Sequence, residues 1–190
     1  MKLILASRSQ ERRRIFKLLG VEFEVCSSNF DESKIKDKDP VKLVQKLAEA
    51  KTEDVARKYS DVVVVGGDTL CVFENKVLGK PKDLDEAHAI LKQLSGKTHK
   101  FISGFCLINT QTKEKQVGFE QCEITFRDLT DKEIIKFIEN SNPLRLAAGY
   151  QTTGDFSELF ISKINGSYSA INGLPMEKII PILQRWKVID

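Results

Sequence analysis

The sequence predicts a mixed α/β fold, in which strands and helices pack in layers. Short β-branched runs alternate along the chain with segments of helical apolar spacing, a pattern typical of such layered folds. Two longer strand-like segments joined by a polar turn predict a hairpin, so some strand pairing is expected to be antiparallel. The 190 residues contain no clear linker, so we expect a single domain over residues 1–190, with a smaller lobe around the hairpin.

The first half of the chain is predicted to hold three strands and two helices. Gly20 is a usual stop signal for the first helix, and Asp39 followed by Pro40 is a usual start for the second. A run of valines predicts a buried third strand, which we expect to end at the glycine pair that follows it. The predicted strands cover residues 2–5, 21–25 and 62–65, and the predicted helices cover residues 9–19 and 39–59.

The second half is predicted to contain three more strands and three more helices. Two of these helices begin with the pattern of a capping box, in which an acid follows the N-cap three residues later. The pairs are Asp83 with Glu86 and Thr130 with Glu133. The predicted helices cover residues 83–95 and 130–139 and a segment beginning at 175, and the predicted strands cover residues 101–109, 117–126 and 159–164.

The composition excludes several classes of protein. The net charge is only +3, and basic residues alternate with acidic ones, so no stable nucleic-acid partner is expected. The chain has no apolar run long enough to cross a membrane and no secretory signal, which predicts a cytoplasmic protein without a membrane partner. The 4 cysteines lack the spacing of metal ligands and are expected to be free thiols.

A turn rich in hydroxyl groups and arginine leads from the first strand into the first helix. Ser7 and Ser9 lie in this turn, where free backbone N–H groups and the positive end of the helix dipole favour an anion. The apolar face of the helix is predicted to comprise Ile15, Phe16, Leu18 and Leu19. Arg12 falls about 40° from the centre of that face on a helical wheel. We therefore expect Arg12 to bind phosphate, the alternative being an ion pair with Glu11 or Glu32.

Two charged residues occupy positions that indicate a functional site. One interrupts the apolar stripe of a helix, and the other follows the end of a predicted strand. Lys51 lies inside the apolar stripe of the second helix, so its ammonium either extends to solvent or points into a polar cleft. Asp68 follows the third strand, where α/β folds gather their ligands. Asp68 is a candidate general base or metal ligand, the alternative being an aspartate that caps a β-turn.

Two loops supply further charged groups for such a site. Lys80 and Lys82 precede the third helix, and two ammonium groups beside a helix N-terminus favour phosphates. Glu32 precedes the second helix and is most simply a solvated acid. Beside Asp68, however, Glu32 would provide a second carboxylate for a divalent cation, which prefers oxygen ligands.

Several separated motifs occur in one order over nearly the whole chain. Residues 5–12 are similar to a pattern L-A-S-x-S-P-R-R, and Gly67-Asp68-Thr69 is similar to A-D-T. The other segments that match are Phe30-Asp31-Glu32, Glu49-Ala50-Lys51, residues 79–83, residues 91–99 and residues 166–175. Together these motifs resemble the Maf family of nucleoside triphosphate pyrophosphatases, also called septum formation inhibitors.

The resemblance implies a fold shared with inosine triphosphate pyrophosphatases, with an elongated mixed sheet and a central cleft between two lobes. It implies hydrolysis of a nucleoside triphosphate to the monophosphate and pyrophosphate, with Mg²⁺ or Mn²⁺ as the cofactor. By motif match, Asp68 would accept a proton, and Glu32 and Asp68 would hold the metal. The other implied site residues are the catalytic Lys51 and Lys80 and the substrate-binding Ser7, Ser9, Glu11, Arg12, Thr69, Lys82 and Thr153.

The part of the family pattern that reads the base is altered in this chain. Gln10 stands for the family's proline and Glu11 for its first arginine, whereas Thr69 fits the subgroup that acts on dTTP and UTP. Thr153 aligns with a glutamine that also sets base choice. The substrate base is therefore left open, with dTTP or UTP favoured by Thr69. The altered residues Glu11 and Arg145 motivate an alternative, a non-catalytic nucleotide-binding regulator of cell division. A homodimer is a further expectation from the family.

Overall fold

The computed structural model describes residues 1–152 and 156–190, and its strands form one mixed sheet. The strands are β1 (Lys2–Ala6), β2 (Glu24–Val25), β3 (Val62–Phe73), β4 (Lys76–Leu78), β5 (Thr98–Asn109), β6 (Lys115–Phe126) and β7 (Ile161–Asn165). The helices are α1 (Gln10–Lys17), α2 (Pro40–Ala56), α3 (Leu84–Leu94), α4 (Asp131–Asn140), α5 (Tyr168–Ile171) and α6 (Met176–Arg185). The sheet order is β2-β1-β3-β5-β6-β7, with β4 beside β3, which confirms the mixed α/β prediction.

The chain divides into two compact units. One comprises Met1–Thr69, Ser103–Glu120 and Ser167–Asp190, and the other comprises Leu70–Ile102 and Gln121–Gly166. The predicted single domain over residues 1–190 stays a prediction. No helix in the described ranges is long and apolar enough to cross a lipid bilayer.

The first unit is built on parallel pairing of β1 with both β2 and β3. Successive side chains of a strand point to opposite faces, so β1 and β3 contribute to two separate apolar clusters. One cluster joins these strands to α1 and α6, and the other joins them to α2. The pairing between β1 and β3 ends where Ala6 lies opposite Gly66. Residues 67–69 therefore run past the carboxyl end of β1.

The third strand is longer than predicted. We expected a strand over residues 62–65, but β3 continues to Phe73 and contains Asp68 rather than ending before it. The apolar residues after Thr69 pair antiparallel with β4. Glu74 and Asn75 form the tight turn between these strands, with φ angles of 48° and 62°. This hairpin holds the chain extended beyond the glycine pair.

The first helix also differs in one detail from its prediction. The helical wheel predicts Leu18 on the apolar face, but this residue is 73% exposed and follows the last residue of α1. Ile15 and Phe16 are buried, and Leu19 packs against the same cluster. Leu18 lies roughly 100° from the centre of the face that these three residues define, whereas Arg12 lies within roughly 20° of it. The corrected face therefore directs Arg12 inward more strongly than predicted.

The second unit contains α3, α4 and an aromatic core. Thr130 and Glu133 form the predicted capping box at α4, with both reciprocal hydrogen bonds present. At α3 the Asp83 side chain caps the helix as predicted, but the Glu86 carboxylate accepts from the backbone N–H of Lys82 instead of that of Asp83. The buried aromatic rings include His99, Phe126, Phe137, Tyr150 and Phe160.

Candidate active site

Asp68 lies in β3 where the strand passes the end of β1, and its residue is only 7% exposed. The preceding glycines let other parts of the backbone approach closely. A Cβ atom on Gly67 would lie 3.0 Å from the carbonyl oxygen of Gly104 and 3.1 Å from that of Gly173. Any side chain at Gly67 would therefore push these segments away from Asp68.

Lys51 joins Asp68 to Glu32. Its Nζ atom lies 2.6 Å from Asp68 Oδ1 and 2.9 Å from Glu32 Oε1, and its side chain is 15% exposed. The ammonium thus points into a polar site instead of extending along α2 to solvent. Glu32 begins a short 3₁₀ helix, Glu32–Lys34, and its side chain is 58% exposed. One cation therefore bridges a buried and an exposed carboxylate.

The hydroxyl groups of the turn before α1 build the end of that helix. Ser7 Oγ accepts from the backbone N–H of Ser9 at 3.1 Å, and Ser9 Oγ accepts from the backbone N–H of Arg12 at 3.3 Å. A serine side chain that accepts such a bond is a usual N-cap. Each hydroxyl still carries a proton that it can donate to a phosphate oxygen. The predicted role of both serines in phosphate binding stays a prediction.

Arg12 is held by two acceptors, neither of which is a carboxylate. Its Nε donates to the carbonyl oxygen of Gly173 at 3.0 Å, and its Nη2 donates to Thr69 Oγ1 at 2.9 Å. Glu11, the alternative partner in sequence, instead accepts from Arg14 at 3.0 Å. Burial lowers the pKa of the Arg12 guanidinium, and the Asp68 and Glu32 carboxylates oppose this shift. Since arginine has five N–H donors, Arg12 keeps donors for an anionic ligand.

Two residues of this region were missed in the sequence. Gly173 has a φ of +92°, and a Cβ atom there would lie 2.7 Å from Arg12 Nε. Ser103 lies buried in β5, and its Oγ is 3.1 Å from Thr69 Oγ1. The only signal for Ser103 was a hydroxyl inside an apolar strand. For Gly173 it was its place in the matching segment 166–175, as the glycine of an Asn-Gly pair before Leu-Pro.

The remaining predicted residues are not brought to this cluster by any described contact. Lys80 and Lys82 belong to the second unit and lie exposed between β4 and α3. Thr153 lies outside the described residues. The cluster that the structure assembles within the first unit therefore consists of Arg12, Glu32, Lys51, Asp68 and Thr69.

Glu32 and Asp68 suit a hard divalent cation. Their oxygens already share one positive group, the Lys51 ammonium. Magnesium is commonly bound by one or two carboxylates together with phosphate oxygens of the substrate rather than by a cage of protein groups. Within residues 1–152 and 156–190, no cluster of three or more His, Cys, Asp or Glu side chains could form such a cage. The two carboxylates are therefore a donor set of the kind that fits a divalent cation.

Buried Asp68, two cations and a helix N-terminus beside parallel strands define an α/β protein suited to phosphorylated ligands. A family model described as Maf-like protein matches residues 2–186. The chain belongs to this family, which confirms the resemblance that the motifs indicated.

Curated relatives cover almost the whole chain. A dTTP/UTP pyrophosphatase of Alkaliphilus oremlandii is 42% identical over 96% of this chain and 95% of its own length. A protein of the same name from Bacillus pumilus is 38% identical over 98% of this chain and 97% of its own. A third, from Aquifex aeolicus, is 36% identical over 100% of this chain and 97% of its own.

Among solved structures, the Ham1 protein of Staphylococcus aureus is similar at a TM-score of 0.47 and 16% identity. The match covers 67% of this chain and 73% of that one.

Proposed function

We propose that this protein hydrolyses a nucleoside triphosphate to the nucleoside monophosphate and pyrophosphate, with dTTP and UTP as its substrates. The names of three relatives at 36–42% identity support this reaction. The observation that carries the proposal is the Lys51 ammonium between Asp68 and Glu32, with the Arg12 guanidinium near both carboxylates. The alternative of a non-catalytic regulator gains no support from these relatives.

Asp68 is the proton acceptor in this reaction. Its carboxylate takes a proton from a water molecule as the water oxygen attacks the α-phosphorus. The bond from the α-phosphorus to the bridging oxygen breaks, and pyrophosphate leaves with the electron pair. The hydrogen bond from Lys51 orients the carboxylate for this transfer. Such general-base catalysis contributes about 10²–10⁴-fold to a rate.

Positive groups stabilise the charge that develops on the leaving pyrophosphate. Arg12 and Lys51 supply two such groups in the first unit, and the remaining N–H donors of Arg12 are suited to phosphate oxygens. We assign Lys80 and Lys82 to the same triphosphate, with Lys80 in a catalytic role. The helix N-terminus and the hydroxyl protons of Ser7 and Ser9 complete the anion site.

Glu32 and Asp68 are the residues that would hold a divalent cation, Mg²⁺ or Mn²⁺. When bound, such a cation supplies positive charge that polarises the phosphoryl group. Glu32 is the more exposed of the two carboxylates, so it is the one that can reorient when substrate enters.

Thr69 is our candidate for contact with the nucleobase. It follows Asp68 in β3, is only partly buried, and its hydroxyl contacts the Arg12 guanidinium. Glu11 and Thr153 are proposed as further base contacts from the motif match alone. The assignment of dTTP and UTP rests on Thr69 and on the names of the relatives.

Replacing Asp68 with asparagine tests the proton acceptor directly. Asp68→Asn keeps the shape of the side chain but removes its basicity, so pyrophosphate release from UTP is expected to fall by at least about 10²-fold. Asp61→Asn is the matched control, because Asp61 is exposed and precedes the same strand. Pyrophosphate release is measured for both variants with Mg²⁺ and Mn²⁺. Unchanged turnover in Asp68→Asn would contradict the assignment.

A further inference from the structure

Ser103 links two parts of the site through a chain of hydrogen bonds. The residue is 1% exposed, and its Oγ donates to the carbonyl oxygen of Ala170 at 2.7 Å. The same Oγ lies 3.1 Å from Thr69 Oγ1, which in turn lies 2.9 Å from Arg12 Nη2. A hydroxyl this deeply buried requires partners, and one of them here leads to the site.

The donor and the acceptor of each hydrogen bond in this series can be assigned in only one consistent way. The carbonyl oxygen of Ala170 can only accept, so Ser103 donates its single hydroxyl proton there. The Arg12 guanidinium can only donate, so Thr69 accepts from it. The contact between the two hydroxyls is therefore made by the Thr69 proton, which Ser103 accepts. Thr69 keeps one lone pair and no proton for a ligand.

We propose that Ser103 is a positioning residue for substrate selection, which holds the Thr69 hydroxyl as a hydrogen-bond acceptor toward the nucleobase. This inference rests on the proposed function, in which Thr69 contacts the base. The ring imide N–H of uracil or thymine is a donor and matches the free lone pair. The corresponding ring nitrogen of cytosine carries a lone pair of its own and is repelled. Selection thus follows from the direction of a hydrogen bond rather than from the size of the base.

Calorimetric binding of non-hydrolysable α,β-imido analogues of UTP and CTP tests this role. Wild-type protein is expected to bind the UTP analogue more tightly than the CTP analogue. In Ser103→Ala the Thr69 proton is released and can turn toward either base, so the preference is expected to fall about tenfold. Thr110→Val is the matched control, because it removes another buried hydroxyl whose hydrogen bonds, among the described residues, are with the backbone of Val62. This control is expected to keep the preference.

Substitutions at Thr69 separate positioning from a purely structural role. Thr69→Ser keeps the hydroxyl and is expected to keep the preference for the UTP analogue, whereas Thr69→Val is expected to lose it. Ser103→Ala should have no further effect on the preference in the Thr69→Val background. A structural defect would weaken both analogues alike and would add to the effect of Thr69→Val.

Three results would overturn the inference. They are the absence of a preference in the wild type, an unchanged preference in Ser103→Ala, and an effect of Ser103→Ala that persists without the Thr69 hydroxyl. The binding ratio does not depend on turnover. A wild-type protein that shows the ratio but releases no pyrophosphate would therefore contradict the proposed function alone.

Discussion

At the scale of residues, the site depends on one lysine shared by two carboxylates. Lys51 contacts the buried Asp68 and the exposed Glu32, so the two contacts differ in strength. The contact with Asp68 lies in a less hydrated environment and is costly to break, whereas an exposed pair contributes little. The Lys51 ammonium therefore contributes both to the stability of the site and to its chemistry.

Removal of this ammonium should uncover the cation site. Lys51→Met leaves Asp68 and Glu32 without the ammonium between them, and only the more distant charge of Arg12 remains nearby, so the free energy of unfolding is expected to fall by about 2 kcal/mol. A divalent cation can then take the vacated position, and Mn²⁺ should raise the Tm of the variant more than that of the wild type. Thermal unfolding with and without Mn²⁺ measures both effects. Equal Tm shifts in the two proteins would contradict the assignment of Glu32 and Asp68 as cation ligands.

At the scale of elements, the tight turn between β3 and β4 keeps β3 extended beyond Asp68. Glu74 and Asn75 both adopt positive φ angles, of 48° and 62°, and glutamate is poorly suited to this region of backbone conformation. Asparagine tolerates it better because its short side chain hydrogen-bonds locally.

The exposed turn residue Glu74 therefore offers a gain in stability. Glu74→Asn is expected to raise the free energy of unfolding by about 1 kcal/mol, since it relieves strain without loss of buried contacts. Chemical denaturation measures the change. Glu114→Asn, an exposed glutamate at negative φ in another turn, is the control and should bring no such gain. A loss of stability in Glu74→Asn would contradict this account of the turn.

The elements that could be predicted from the sequence are those set by local chemistry. Asp39, Asp83 and Thr130 cap their helices as predicted, because a cap depends on neighbouring residues. The full length of β3 was missed, because its turn lacks the glycine that usually marks a tight hairpin. The position of Lys51 was left open and Ser103 was missed, because their partners are distant in the sequence.

At the scale of the whole molecule, a buried histidine should make the free energy of unfolding depend on pH. His99 lies among aromatic rings and contacts the Tyr150 hydroxyl, and burial lowers its pKa from 6.5 to about 4. Between these two values the unfolded chain binds a proton that the folded protein does not. The contribution of neutral His99 to the free energy of unfolding is therefore fully present above pH 6.5. It falls as the pH is lowered toward about 4, by roughly 3 kcal/mol.

Denaturant unfolding over this pH range measures the effect. His99→Gln removes the titrating ring but keeps a polar side chain beside Tyr150, so the loss of stability on acidification should be smaller than in the wild type. His88→Gln is the control and should retain the wild-type slope, because His88 lies outside this aromatic core. Identical slopes for the wild type and His99→Gln would contradict the assignment of the titration to His99.

The central claim is that water attacks the α-phosphorus of a nucleoside triphosphate beside Asp68. Hydrolysis of UTP in isotopically labelled water, followed by mass spectrometry of both products, tests it most directly. The label is predicted in the phosphate of the uridine monophosphate, and the pyrophosphate is predicted to be unlabelled. Label in the pyrophosphate, or release of orthophosphate with uridine diphosphate, would contradict the claim.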